Sequence, residues 1–253
     1  MVGGVSAPAV HPRELFRAGK VREAIQALNA YLRERPADTA QRTFLFELLC
    51  FAGEYSRAEK QLAVLAGTGI GGETGAILYY AALHAEQNRH ALFAKQEFPQ
   101  TAAISPRGEL NGQPFADLRD ADPNIGARLE VFAAGAAVWI PFEHVASLEM
   151  EAPRRLRDTL WAPARVTTAA SFRGQDLGEV LIPAVYPFSW KHVDQAVWLG
   201  RMTAWVEEKE GMGTPVGQKT WLVDGEEFPF LEVRTLQFYP CADARSATQE
   251  QKS

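Results

Sequence analysis

The residues of this 253-residue chain that could do chemistry fall into a few groups. Gly67-Thr68-Gly69-Ile70-Gly71-Gly72 contains the spacing G-x-G-x-x-G, which cradles a pyrophosphate when a strand leads into it and a helix leaves it. Apolar residues at helical spacing precede it here and no βαβ unit surrounds it, so it reads as a loop between helices. Asp120, Asp122 and Asn124 alternate like calcium-loop ligands, but the sixth and twelfth positions, which need Gly and Glu, hold Ile125 and Val131. An Asp/Pro/Asn-rich turn before a strand accounts for that segment. The five histidines (His11, His84, His90, His144 and His192) include no His-Glu-x-x-His, and His84 and His90 fall on different helix faces. Cys50 lies on an apolar helix stripe, as a buried inert thiol does. With no G-x-S-x-G elbow, P-loop or kinase set, the sequence assigns no catalytic residue, no metal and no cofactor. The enzymatic alternative is a dispersed site among Glu143, His144, Asp176 and His192, although strand alternation puts Glu143 and His144 on opposite faces.

Composition narrows the partners. A net charge of −5 argues against nucleic-acid binding by phosphate neutralisation, which needs a basic surface. The longest apolar run, 131–142, is interrupted by Gly135 and Pro141 and is too short for a bilayer. The first ten residues lack Lys and Arg, so no secretory n-region is expected; with two cysteines, Cys50 and Cys241, the chain is expected in the cytoplasm.

The elements that must position these residues divide the chain in two. Residues 1–100 hold 11 basic and 10 acidic residues, the remainder 15 and 21, and all six tryptophans lie beyond residue 100. Pro99, Pro106, Gly108, Gly112 and Pro114 mark a linker at 101–114, between a helical domain at 1–100 and a β-rich domain at 115–240. Residues 241–253 read as a disordered tail. In the first half, Leu45, Leu48, Leu49 and Ala52 recur at helical steps. Leu15-Phe16-Arg17-Ala18-Gly19 aligns with Leu49-Cys50-Phe51-Ala52-Gly53 at an offset of 34 residues, with Ala24 on Ala58 and Leu28 on Leu62. Thirty-four is the tetratricopeptide period, so these are TPR-like helical repeats or, in the plainer reading, an unrelated pair of helical hairpins. Such arrays bind peptides or helices along the first helix of each repeat, which nominates Arg13, Thr43, Glu47, Ala81 and His84 for partner binding.

In the second half the period changes to two. Strands are predicted at 129–132, 137–140, 142–148, 165–170, 178–185, 203–207, 220–223 and 230–238, with Asp224-Gly225 as a hairpin turn and a helical insert at Pro153–Trp161. Without long crossovers the sheet is antiparallel, a small curved sheet or open barrel, and the fold class is α+β with two domains. The segment 185–190 concentrates Tyr186, Phe188 and Trp190 between two prolines. It is either a partner-contact surface or a loop folded into the core.

Together Leu48-Leu49-Cys50-Phe51-Ala52-Gly53-Glu54-Tyr55 with Arg57-Ala58, the run from Trp139 through His144 to Val145, Pro153 to Ala164, Gly178 to Pro183 and Leu199-Gly200-Arg201 resemble the ImpE/SciE/TagJ family, over about residues 10–240. The part from Trp139 to Ala164 is the specific one. The resemblance implies a non-enzymatic cytoplasmic accessory protein of type VI secretion systems. It would contact the small sheath subunit and, in some systems, the ClpV-type AAA+ ATPase that disassembles contracted sheath. It supplies no catalytic residues. A chaperone for the free sheath subunit is the alternative of the same kind.

Overall fold

The computed structural model describes residues 11–67, 72–173, 177–207 and 213–239. Most of the glycine-rich stretch (68–71), Asp176, Cys241 and the 241–253 tail lie outside the described residues. Helices come first: α1 (Pro12–Arg17), α2 (Val21–Glu34), α3 (Thr39–Phe51), α4 (Tyr55–Gly67) and α5 (Gly72–Ala94). Pro12 opens α1, and Asp38 caps α3 by accepting from the Gln41 amide at 3.0 Å. α1 and α2 form one hairpin, α3 and α4 a second, and α5 packs on α4. The two hairpin turns share a geometry: Gly19 (φ +75°) and Gly53 (φ +69°) are left-handed, with Lys20 N–H donating to Leu15 O at 2.8 Å and Glu54 N–H to Leu49 O at 2.9 Å.

The β-rich half carries β1 (Gly108–Leu110), β2 (Gln113–Phe115), β3 (Leu118–Asp120), β4 (Arg128–Ala133), β5 (Ala136–Pro141), β6 (Val145–Met150), β7 (Trp161–Thr168), β8 (Gly178–Pro183), β9 (Thr203–Glu207), β10 (Gly213–Gly217), β11 (Thr220–Val223), β12 (Glu226–Pro229) and β13 (Thr235–Phe238). Every named pairing is antiparallel. Eight strands form an open sheet in the order β2-β1-β13-β6-β7-β8-β4-β5, beside a three-stranded sheet (β12-β11-β3) and the β9–β10 hairpin. The sheet is therefore larger than the small one expected, and it does not close into a barrel.

Three local expectations are corrected. The helical insert at 153–161 is a four-residue 3-10 turn, Leu156–Thr159. The Asp158 carboxylate accepts from the Arg154 and Arg155 amides (3.0 and 2.9 Å), and Trp161 is already in the ladder opposite Pro183. Phe142–His144 is likewise a 3-10 turn and not strand, so alternation does not place Glu143 and His144. β1 and β2 lie inside or across the end of the span expected to be linker. Asn111-Gly112, both at positive φ (+50° and +77°), form their two-residue turn, and Gly108 lies so close to the Gln237 carbonyl that no Cβ fits.

Alternation along three strands builds two cores. Leu129, Val131, Ala162, Ala164, Val166, Val180 and Ile182 face a cluster completed by Leu118, Trp221 and Phe230. Phe132, Trp161 and Leu181 face the other way, into a cluster shared with the helices. The β8–β4 side of the sheet is thus buried on both faces, as the unbroken burial of Arg128–Phe132 records.

Candidate functional site

The densest gathering of ionisable side chains lies where α5 crosses β4. Arg89 and Glu130 meet as a bidentate pair, Nε to Oε1 at 2.9 Å and Nη2 to Oε2 at 2.8 Å. Arg89 Nη1 also donates to Glu86 Oε1 (3.1 Å) and to the Val185 carbonyl (3.0 Å). Lys219 Nζ bridges Glu130 Oε2 (3.0 Å) and Asp120 Oδ2 (2.8 Å), and the Tyr186 hydroxyl lies 2.8 Å from Asp120 Oδ1. The indole N–H groups of Trp139 and Trp161 donate to Glu130 and Glu86 at 3.1 and 2.9 Å. Burial pushes the Glu130 carboxyl up, but Arg89 and then Lys219 overrule it and hold it at about 2. For Glu86 burial is likewise outweighed, by Arg89 and His90, and its pKa is lowered. Burial disfavours charge on Lys219, yet Asp120 and Glu130 raise its pKa. These buried groups satisfy one another in a closed network. Its effect is mechanical: Glu86 and Arg89 come from α5 and the rest from the β-rich half, so the Arg89–Glu130 pair forms only when both are joined.

The segment 185–190 follows the internal one of its two readings. Tyr186 is 1% exposed and its ring faces Lys219. Phe188 and Trp190 are half-buried around His90, at 5.2 and 4.5 Å between ring centroids, with Tyr55 stacked on the same imidazole at 5.4 Å. Trp190 fills the α3–α4 turn, where a Cβ on Gly53 would fall 2.5 Å from the indole. Phe188 pays for this placement with left-handed φ of +61°.

Of the helix positions aligned by the 34-residue register, Glu47 is buried and Ala81 half-buried against this chain's own β-rich half, while Arg13 and His84 are exposed. Glu47 is 8% exposed and meets Arg157 of the 3-10 turn at 3.5 Å. Ala81 lies against the β4–β5 turn at Gly135, and His84 Nδ1 is 2.8 Å from the Gly135 carbonyl. Arg13 is exposed above the Phe44 ring at 4.9 Å, and Thr43, donating to the Thr39 carbonyl, lines an open groove between α3, α4 and α5. The physical reason is burial: Phe132, Trp161 and Leu181 need an apolar cover, and these helices supply it.

Residues from the stretches that carry the family resemblance hold this junction. Trp139 packs on Phe93, Trp161 stacks on Tyr79, and Arg157 lies over Tyr79 at 4.7 Å. Arg201 donates to the Phe16 and Arg17 carbonyls at the end of α1 (2.8 and 3.0 Å), the first of which also accepts from the Gly19 amide. The members of the dispersed enzymatic alternative have separate duties. Glu143 accepts from the Ile104 amide, His144 lies 2.9 Å from the Ser171 hydroxyl, and His192 accepts from the Asp194 amide. Among the described residues no three His, Cys, Asp or Glu side chains are grouped to hold a metal, and no helix is long and apolar enough to cross a membrane. Asp120 and Asp122 are both buried, Asp120 on Lys219 and Asp122 accepting from Asn124. Sequence reading passed over Glu86, Arg89, Glu130 and Lys219. Their one visible trace is the alternation Arg128-Leu129-Glu130-Val131, which looks like a solvated strand face until α5 covers it.

The chain is a two-part α+β protein, an antiparallel sheet joined to stacked helices by an inter-half ion network. The family profile described as "ImpE protein" matches residues 112–237. The "Type VI secretion system accessory component TagJ" of Pseudomonas aeruginosa is 33% identical, the alignment covering 92% of each chain. The chain belongs to the ImpE/TagJ family. The fold recurs in the crystal structure of protein VPA1032 from Vibrio parahaemolyticus, with a TM-score of 0.76, 23% identity and coverage of 90% of this chain and 97% of that one.

Proposed function

We propose that the protein is a cytoplasmic, non-enzymatic adaptor of a type VI secretion system, binding the small sheath subunit and, where the system uses it, the ClpV-type AAA+ ATPase, to assist sheath disassembly or recycling. The observation that carries this reading is the relation to the P. aeruginosa accessory component over nearly the full length of both chains. Its physical support is that the clustered ionisable groups are spent on joining the two halves, while apolar surface on the helices stays open. We read the hairpins α1–α2 and α3–α4 as TPR-like repeats with α5 as their end, and the partner segment as a helix docked on that array near Arg13 and Thr43.

Co-sedimentation tests the reading against the chaperone alternative. An adaptor travels with assembled sheath and also binds the free small subunit and the ATPase. A chaperone binds the free subunit alone, and an outcome with no binding to any of the three rejects both.

A further inference from the structure

The groove between α3, α4 and α5 has a volume of about 460 Å³ and an apolar lining of Phe46, Leu62, Ala66, Leu78 and Tyr79. Val64 and Ile77 on its flanking helices are 45% and 66% exposed. One end of the groove is basic. Arg155 and Arg157 line it, and Arg13 reaches the same neighbourhood, since all three act electrostatically on the Glu47 carboxyl. Arg155 is exposed and forms no ion pair among the described residues. The nearby Asp158 is already occupied by the Arg154 and Arg155 backbone amides. Glu47, 3.5 Å from Arg157, and Asp158 are the carboxylates this chain itself places at the cluster. In a chain with net charge −5, two arginines at the mouth of an apolar groove, with Arg13 within electrostatic reach of the same carboxyl, select the sign of what enters.

We infer that this groove takes an amphipathic helix with an acidic flank, its apolar face on Leu62 and Leu78 and its carboxylates on Arg155 and Arg157. The inference rests on the proposed reading that the helical half docks a partner helix, and it adds the chemistry by which that helix is chosen. It also explains why Arg157 is stacked on Tyr79, 4.7 Å away: the guanidinium is held at the groove's end before any partner arrives.

The test uses the full-length chain and three synthetic helical peptides with one shared leucine face, flanked by glutamate, glutamine or lysine, titrated by fluorescence anisotropy. The glutamate peptide is expected to bind about 10-fold tighter than the lysine peptide at low salt. Arg155→Glu, at an exposed unpaired position, is expected to erase or invert that order with an unchanged circular-dichroism melt. Leu78→Asp is expected to weaken all three. Equal affinities for the three peptides overturn the charge selection and leave helix docking standing. Binding by none of them overturns helix docking in this groove as well, and an unchanged affinity in Leu78→Asp places the peptide elsewhere and overturns the site.

Discussion

Arg89 and Glu130, 41 residues apart and both inaccessible to water, form a two-pronged ion pair that joins α5 to β4. A pair this deep holds the halves in one arrangement more than it stabilises them, because the cost of dehydrating two charges offsets most of their attraction.

Breaking the pair on one side is therefore expensive. Arg89→Met leaves Glu86 and Glu130 buried without their main counter-charge, and we expect a loss of roughly 3–5 kcal/mol in denaturant unfolding. Glu130→Met in that background restores part of it. A double variant whose loss equals the sum of the two single losses contradicts the coupling.

The turn at Gly53 makes a second prediction. Gly53→Ala meets both a left-handed φ and the Trp190 ring, so a loss of about 2 kcal/mol is expected in thermal unfolding. In a Trp190→Ala background only the backbone share, about 1 kcal/mol, remains. Equal costs in the two backgrounds would show that the indole does not occupy that space.

How far the sequence discloses this fold depends on whether a signal is local. Asp224-Gly225 reads correctly as a two-residue hairpin turn, because positive φ at both positions (+51° and +91°) is written in the residue types. Asn111-Gly112 carried the same signal, but the surrounding prolines and glycines made it look like linker. Gly19 and Gly53 mark equivalent helix turns, again from residue type alone. The charge network is illegible for the opposite reason. Arg89, Glu130 and Lys219 are ordinary surface residues in any local window, and only the long-range packing of α5 on β4 buries them. All six tryptophans lie in the second half, and four of them, Trp139, Trp161, Trp190 and Trp198, contact helix residues. What reads as a composition bias is the imprint of the junction.

Stability should depend on pH through Glu47. Burial lifts its carboxyl from 4.5 to about 7, against the pull of Arg157, Arg155 and Arg13; Asp158 adds to the rise, and Tyr79 and Cys50 also couple to it. The folded state then holds a proton that the unfolded chain has released, so this group's contribution is present below pH 4.5 and is lost as pH rises to 7. The span is on the order of 3 kcal/mol before relaxation is allowed for. Glu130, with a pKa lowered to about 2, has the opposite slope, stabilising above pH 4.5 and failing as pH falls toward 2. Unfolding free energy measured across pH 4.5–7 should fall less steeply in Glu47→Gln than in the natural chain. Parallel curves would remove Glu47 from the account.

The β-rich half should not stand alone. A fragment starting at residue 101 lacks Arg89 and the helical cover of Phe132, Trp161 and Leu181, and we expect it to bind a hydrophobic dye and melt without cooperativity. A sharp two-state melt of that fragment would mean that the shared core and the ion network are dispensable.

The claim on which the functional account depends is that this chain acts by contact. Calorimetric titration of the purified small sheath subunit from the same secretion system into the full-length protein tests it most directly. The account predicts saturable binding with a fixed stoichiometry, weakened by Leu78→Asp. An absence of heat and of complex up to about 100 μM of each protein would contradict it.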